Sequence, residues 1–211
     1  MRLRRLQIDN FRGVRSLDWR HIAETAALVG PGDSGKPTIL DAIERVLSPR
    51  WNIVFDDTDF WDLETGAAIV VRATITDLAP SFYRDSKFGL LMHGFDATKG
   101  EATRALGAEG EGHALLVELH VDAALEPVWS VIDAEGEKHP FTARDRESLG
   151  MLRVGGYVDQ HLGWSKGSVL TRLTDSGDAV GAVLAEAMRN ARSGLNIEGL
   201  EKLAAAAQKV E

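Results

Sequence analysis

The sequence predicts an α/β fold with an antiparallel β subdomain, one strand–loop–helix unit and C-terminal helices. Three observations predict it. Short strand-like segments recur over roughly the first two thirds of the chain, separated by glycine-rich or charged connections. One glycine-rich loop follows an apolar run and precedes an amphipathic stretch. Two apolar stripes at helical spacing lie near the end of the chain.

The first segments predict a β-hairpin followed by a strand, a loop and a helix. Apolar residues recur at strand spacing over 3–8 and 14–19, and the connection 10–13 ends at Gly13. The apolar run 26–29 predicts a buried strand that leads into Gly30. From Thr38 the apolar residues follow helical spacing as far as Leu47, where Ser48 and Pro49 predict the end of the helix.

The remainder predicts more strands and then two helices. We expect strands at 67–75, 113–121, 128–132 and 152–158, and helices at 180–191 and 197–210. The wide apolar faces of these helices predict either self-association or packing on the chain's own core, and both readings stay open.

Composition narrows the class of protein. The chain has 211 residues, a formal net charge of -8 and no cysteine, which excludes disulfides and thiolate metal sites. It has no apolar run long enough to span a membrane and no signal peptide, so we expect no membrane partner and a cytoplasmic location. Six arginines against two aspartates among the first twenty residues allow a local basic patch. Solvated arginines at strand edges are equally compatible.

The segment 30–36 carries the clearest functional motif. It matches G-x-x-x-x-G-K, the first seven positions of a Walker A phosphate-binding loop. Glycines let successive backbone N–H groups turn towards phosphate oxygens, the following helix contributes its N-terminus, and the lysine supplies a positive charge. The predicted ATP-binding residues of the loop are Gly30, Pro31, Gly32, Asp33, Ser34, Gly35, Lys36, Pro37 and Thr38.

Pro37 departs from the motif. The eighth position normally carries Ser or Thr, whose hydroxyl binds Mg²⁺ beside the phosphates. Proline suits the first turn of a helix, but it has no hydroxyl and no backbone N–H. Thr38 stands one position too late to be assigned as a substitute. The sequence therefore predicts ATP binding and leaves Mg²⁺ in doubt, with its ligands unknown.

The first 62 residues resemble a known group of ATPases. Residues 1–13, which end in Asn10-Phe11-Arg12-Gly13, are similar to the start of RecF/SMC-type ABC ATPases. Residues 30–40 together with Asp59-Phe60-Trp61 resemble OLD-family proteins, ATP-dependent endonucleases with a C-terminal Toprim nuclease domain. The resemblance implies a P-loop NTPase lobe of ABC/SMC type over 1–175, with its P-loop at 30–38. Residues 176–211 would begin a helical insertion or dimerisation region.

The resemblance also implies further site residues and partners. Arg12 would lie near the nucleotide, and Gln160 would stand at the position of a Q-loop glutamine. DNA would be a partner of the full-length protein, and a homodimer is expected. The sequence contains no ABC signature, Walker B strand or Toprim acidic cluster, so we assign no catalytic residue and expect no activity from this chain alone.

Two other functions remain open. One is a RecF/SMC-like DNA-binding ATPase switch without a nuclease, and the other is a degenerate nucleotide-binding module. The acidic residues Asp56, Asp57, Asp59 and Asp62 could bind a cation, but they are interpreted as a solvated loop. The six histidines lack the spacing of metal ligands, and the tryptophans are interpreted mainly as packing residues.

Overall fold

The computed structural model describes residues 1–84, 86–104 and 112–154, and farther along residues 183, 186, 187, 189 and 190. The chain divides into two compact units, Met1–Met151 and Leu152–Glu211. The described part of the first unit contains one antiparallel sheet, two α-helices and four short 3₁₀ helices. The strands are β1 (Arg2–Phe11), β2 (Val14–Trp19), β3 (Ile69–Thr76), β4 (His93–Asp96), β5 (Glu101–Thr103), β6 (Gly112–Val121), β7 (Pro127–Ile132) and β8 (Lys138–Pro140), and the α-helices are α1 (Lys36–Leu47) and α2 (Ala143–Glu147).

The sheet is built from hairpins and longer antiparallel connections. Its order is β2-β1-β3-β6-β4-β5, and β7 pairs with both β6 and β8. In β1, Leu6 and Ile8 are fully buried, and the alternating residues Gln7 and Asp9 are only partly covered. This period-two pattern places one face of the sheet in the core. The β1–β2 turn is tight, and Arg12 adopts a left-handed φ of 48° there.

Helix α1 covers the apolar face of the sheet. It packs on β1, β3 and β6 and buries Ala42, Val46 and Leu47. The indole N–H of Trp129 in β7 donates to the Arg45 carbonyl at 3.0 Å, which adds a polar tie to this packing. The core therefore lies directly beneath the helix that follows the glycine-rich loop, so the sheet fixes the direction of α1.

A buried arginine holds the C-terminal end of α1. Arg146 in α2 donates to the carbonyls of Ser48 and Phe141, each at 2.7 Å, and to that of Arg50 at 3.2 Å. Its guanidinium lies 4.0 Å from the centroid of the Trp129 ring. Burial lowers the pKa of Arg146 to about 10. Nothing in the sequence pattern signalled this role.

Most of the predicted elements of the first unit are confirmed. The N-terminal hairpin, the strands at 67–75, 113–121 and 128–132, and the helix ending at Leu47 all form. The helix begins at Lys36, two residues before the predicted Thr38, because Pro37 is compatible with the first helical turn. Strands β4, β5 and β8 and helix α2 are short and were not predicted.

The strand predicted at 26–29 is wrong. These residues form no strand, and the Val29 side chain is 92% exposed. A strand needs a neighbour for its backbone N–H and C=O groups. Within the described residues no strand pairs with this segment. Apolar composition alone therefore did not determine its structure.

The C-terminal predictions are only partly covered by the described residues. Residues 152–154 form no strand, and the rest of the predicted strand at 152–158 lies outside the described residues. Val183, Glu186, Ala187, Arg189 and Asn190 are helical, in agreement with a helix at 180–191. The predicted helix at 197–210 and the predicted boundary at residue 175 lie outside the described residues.

Candidate nucleotide-binding site

The glycine-rich loop ends where α1 begins. Gly35 precedes the helix with a left-handed φ of 76°, a conformation in which glycine has no steric penalty. Its carbonyl accepts the first helical hydrogen bond, from the Ile39 N–H at 3.0 Å. Within the described chain, no side chain caps this helix end and no acidic residue lies in its first turn. The first-turn N–H groups and the positive end of the helix dipole therefore favour an anion here.

The Lys36 side chain turns back into the loop. Its ammonium Nζ donates to the Gly30 carbonyl at 2.8 Å, to the Pro31 carbonyl, and to the Ser34 hydroxyl at 3.0 Å. The Ser34 hydroxyl in turn donates to the Pro31 carbonyl at 2.9 Å. These contacts hold the Lys36 ammonium, and with it the positive charge, against the loop.

Gly30 and Gly32 differ in how much space they leave. A Cβ atom on Gly30 would lie 3.1 Å from the Ser34 hydroxyl and 4.0 Å from Lys36 Nζ. A Cβ atom on Gly32 would have no heavy atom within 4 Å, and Asp33 beside it adopts a left-handed φ of 55°. Gly30 is therefore the glycine that the closed loop requires for space.

Pro37 is the second residue of α1 and is exposed. Its side chain provides no oxygen atom, so the usual Mg²⁺ ligand of the motif, a side-chain hydroxyl, has no counterpart at this position. The hydroxyl of Thr38 lies 4.0 Å from where a Cβ of Gly13 would stand, which places it beside the β1–β2 turn. The residues of the loop thus fit a phosphate group, but position 37 does not fit a directly bound Mg²⁺.

The β1–β2 turn contacts the loop and is anchored by its own motif residues. Val14 lies 3.6 Å from where a Cβ of Gly35 would stand. The Asn10 side-chain amide donates to the Glu64 carbonyl at 3.2 Å and also to the Ala67 carbonyl. Phe11 is fully buried. These contacts give the Asn10-Phe11 pair a structural role and position the turn against the start of α1.

Arg12 lies in this turn but points at two carboxylates. Its Nε donates to Asp59 at 2.7 Å, and its Nη1 donates to Asp41 of α1. The Arg12 backbone N–H also donates to the Asp59 carbonyl at 2.8 Å. Arg12 therefore joins the turn, the P-loop helix and the segment after it. Its predicted contact with nucleotide stays a prediction.

Asp59 is the buried centre of this network. Its side chain is 6% exposed, and Arg45 Nη2 lies 3.6 Å from its Oδ1. Burial lowers the pKa of Arg45, and the charge of Asp59 opposes that shift. The interpretation of the acidic residues as a solvated loop is therefore wrong for Asp59. The motif Asp59-Phe60-Trp61 carried a signal for this residue, but its partner Arg45 was missed, as was Asp41, the second carboxylate that Arg12 contacts.

The other acidic residues of that loop do not assemble a metal site. The Asp56 carboxylate accepts hydrogen bonds from the hydroxyl and backbone N–H of Thr58, which lower the pKa of Asp56. Together with Asp59 it closes a capping box on the short 3₁₀ turn Asp57–Asp59. Among the described residues, no group of three or more His, Asp or Glu side chains could hold a metal ion.

The N-terminal arginines form ion pairs within the chain. Arg2 and Arg4 contact Asp77, whereas Arg5 and Arg20 contact both Asp18 and Glu101. The hydrogen bond from Arg5 lowers the pKa of Asp18 to about 2, and Arg20 adds to the shift. With Arg12 bound to two aspartates, five of the six arginines have acidic partners. The arginine-rich start of the sequence is thus largely neutralised in the fold.

One predicted site residue, Gln160, lies outside the described residues. The described loop brings together Lys36, Ser34 and the backbone of residues 30–35, whereas Thr38 and Arg12 are turned towards neighbouring structure.

No helix in the described part of the chain is long and apolar enough to cross a membrane.

Comparisons with solved structures found similar chains. No protein-family model matches the sequence, and no match to a curated protein was found. A solved chain from work on ATP-driven dimerization and DNA-stimulated activation of SMC ATPases superposes with a TM-score of 0.47 at 14% sequence identity. The match covers 88% of this chain and 98% of the solved chain.

Proposed function

We propose that this chain is an ATP-binding module of ABC/SMC type, in which the loop 30–36 holds the phosphates of the nucleotide. The observation that carries the proposal is the position of Lys36. Its ammonium donates to the Gly30 carbonyl at 2.8 Å and so points into the loop. Lys36 is also the first residue of α1, whose N-terminus has no side-chain cap among the described residues. A cation and free N–H groups that converge on one surface form an anion site.

The same geometry suggests how the nucleotide is held. The β- and γ-phosphates would accept hydrogen bonds from Lys36 and from backbone N–H groups of the loop. Pro37 has no N–H, so the phosphates lose one donor of the ordinary motif. Pro37 also lacks a hydroxyl, so the module has no direct oxygen ligand for Mg²⁺ at that position. We derive no hydrolytic step from this site.

The finer assignment is an N-terminal part of an OLD-family ATP-dependent endonuclease. It is supported by the resemblance of residues 1–62, including Asn10-Phe11-Arg12-Gly13 and Asp59-Phe60-Trp61. DNA as a partner of the full-length protein and a homodimer follow from the same resemblance. The proposed cytoplasmic location rests instead on the composition of the chain. Roles for Arg12 and Gln160 at the nucleotide also belong to this proposal.

Pro37 favours a second candidate function, a module that binds nucleotide and does not hydrolyse it. Both candidates require the loop to bind ATP, so a binding measurement comes before any activity measurement. Because no activity is expected from this chain alone, turnover by the full-length protein would then separate them.

The test is ATP binding by the full 211-residue chain, measured by calorimetric titration. The Lys36→Ala substitution removes one charge-assisted donor worth about 1.5–3 kcal/mol. The affinity for ATP should therefore fall roughly 10- to 100-fold. Lys99→Ala is the matched control, because Lys99 is 71% exposed and pairs with Asp96 in the β4–β5 turn. Equal affinities for Lys36→Ala and the parent chain would overturn the proposal.

A further inference from the structure

The Lys36 ammonium has no proton left to offer a ligand. An ammonium group carries three N–H donors and no acceptor. In this loop the three donors have three acceptors, namely the carbonyls of Gly30 and Pro31 and the hydroxyl of Ser34. A phosphate oxygen can therefore take a full hydrogen bond from Lys36 only when one of these contacts is given up.

The three acceptors are not equally easy to displace. The Gly30 and Pro31 carbonyls belong to the loop backbone, so moving them would reshape the loop. The Ser34 hydroxyl is on an exposed side chain and can leave by rotation about a single bond. Ser34 is thus the acceptor that an incoming anion would replace first.

The Ser34 hydroxyl also lies close to both the lysine and the first glycine of the loop. It is 3.0 Å from Lys36 Nζ and would lie 3.1 Å from a Cβ atom on Gly30. The Ser34 hydroxyl itself donates a hydrogen bond to the Pro31 carbonyl at 2.9 Å. The Ser34 oxygen is thus at hydrogen-bond distance from the lysine and beside the first glycine. A phosphate oxygen bound by Lys36 would be expected in the same place.

We propose that the Ser34 hydroxyl is an internal substitute for a phosphate oxygen and that it weakens the binding of polyphosphates. This inference rests on the proposed function of the loop. It reverses the role that the motif alone suggests for this side chain, since the hydroxyl competes with the ligand for Lys36.

The inference predicts that Ser34→Ala binds polyphosphate more tightly than the parent chain. The gain should be roughly three- to tenfold, the range expected for one exposed hydrogen bond that no longer has to be broken. Ser34→Thr keeps the hydroxyl and should bind as the parent does. The probes are ATP and inorganic pyrophosphate, titrated in EDTA so that metal binding does not contribute.

Two controls make the result specific. Ser16→Ala removes a serine hydroxyl that donates to Asp9 at 2.8 Å in the β1–β2 hairpin, and it should leave both affinities unchanged. Circular dichroism of each variant verifies the fold. Unchanged or weaker binding by Ser34→Ala would overturn the inference, because the hydroxyl would then be neutral or a phosphate donor.

The same titrations separate failure of this inference from failure of the proposed function. If Lys36→Ala weakens ATP binding but Ser34→Ala does not tighten it, the loop binds phosphate and only the role of Ser34 is wrong. If ATP binding is absent or indifferent to Lys36→Ala, both the proposed function and the role of Ser34 are overturned.

Discussion

Arg12 provides the sharpest test of how the β subdomain is coupled to the P-loop helix. Its guanidinium joins Asp59, whose side chain is 6% exposed, to Asp41 of α1, whose side chain is 24% exposed. The perturbation is Arg12→Ala, which removes both contacts and leaves the turn backbone in place. We expect the folded state to lose stability, because the buried Asp59 carboxylate loses its shorter contact with a cation and keeps the longer one with Arg45 and the hydrogen bond from the Asp56 backbone N–H.

The magnitude follows from the two contacts taken separately. The charged hydrogen bond to the buried Asp59 contributes about 1.5–2 kcal/mol. The contact with the more exposed Asp41 contributes about 0.5–1 kcal/mol, because solvent screens it. The free energy of unfolding should therefore fall by about 2–3 kcal/mol. Loss of the Arg12 guanidinium from the face of the Phe11 ring, 5.1 Å away, is a smaller addition.

The assay is equilibrium unfolding in urea, followed by circular dichroism. Arg15→Ala is the control. Arg15 lies in β2 with its guanidinium 5.0 Å from the Trp61 ring centroid, and the substitution should lower the free energy of unfolding by about 0.5–1 kcal/mol. A double-mutant cycle of Arg12→Ala with Asp59→Asn should give a coupling energy of about 1–2 kcal/mol. A loss below about 0.5 kcal/mol for Arg12→Ala, or a coupling energy near zero, would refute the proposed network.

Two further predictions concern the metal and the pH dependence of stability. Pro37→Ser and Pro37→Thr restore a hydroxyl and, for the loop, a backbone N–H. ATP affinity should therefore rise mainly when Mg²⁺ is present, and equal gains in EDTA would show that the hydroxyl does not reach the metal. Because the pKa of Asp18 falls from 3.8 to about 2 on folding, its stabilising contribution is present above about pH 4 and disappears as the pH falls towards 2. Asp18→Asn should be less stable than the parent by about 1 kcal/mol at pH 7, given partial screening, and the two unfolding curves should converge near pH 2; a gap that persisted there would contradict this assignment.

Local patterns in the sequence determined the regular elements of the first unit. Alternation around Leu6 and Ile8 marks β1 because successive side chains in a strand point to opposite faces. Helical spacing up to Leu47, followed by Ser48 and Pro49, marks α1 for an equally local reason. Both patterns are physical consequences of a repeating backbone, so they can be read without knowing the neighbours.

The structure of the short elements and of the apolar run 26–29 could not be predicted from local sequence patterns. Strands β5 and β8 contain three residues each, too few to show a period. The run 26–29 has the composition of a strand, but strand formation depends on a partner elsewhere in the chain. The described residues supply no such partner.

The candidate site likewise has one part that the sequence determined and another that only the tertiary structure decided. The sequence by itself determined the loop 30–36, its lysine and the missing hydroxyl at Pro37, because the motif is contiguous and each position has its own chemistry. Only the tertiary structure decided that Arg12 meets Asp41 and Asp59, residues that lie 29 and 47 positions away. It also decided that Ser34 faces Lys36 through its side chain. Pairing between distant charges and the orientation of one hydroxyl depend on how the chain folds in three dimensions, and no repeating pattern in the sequence records them.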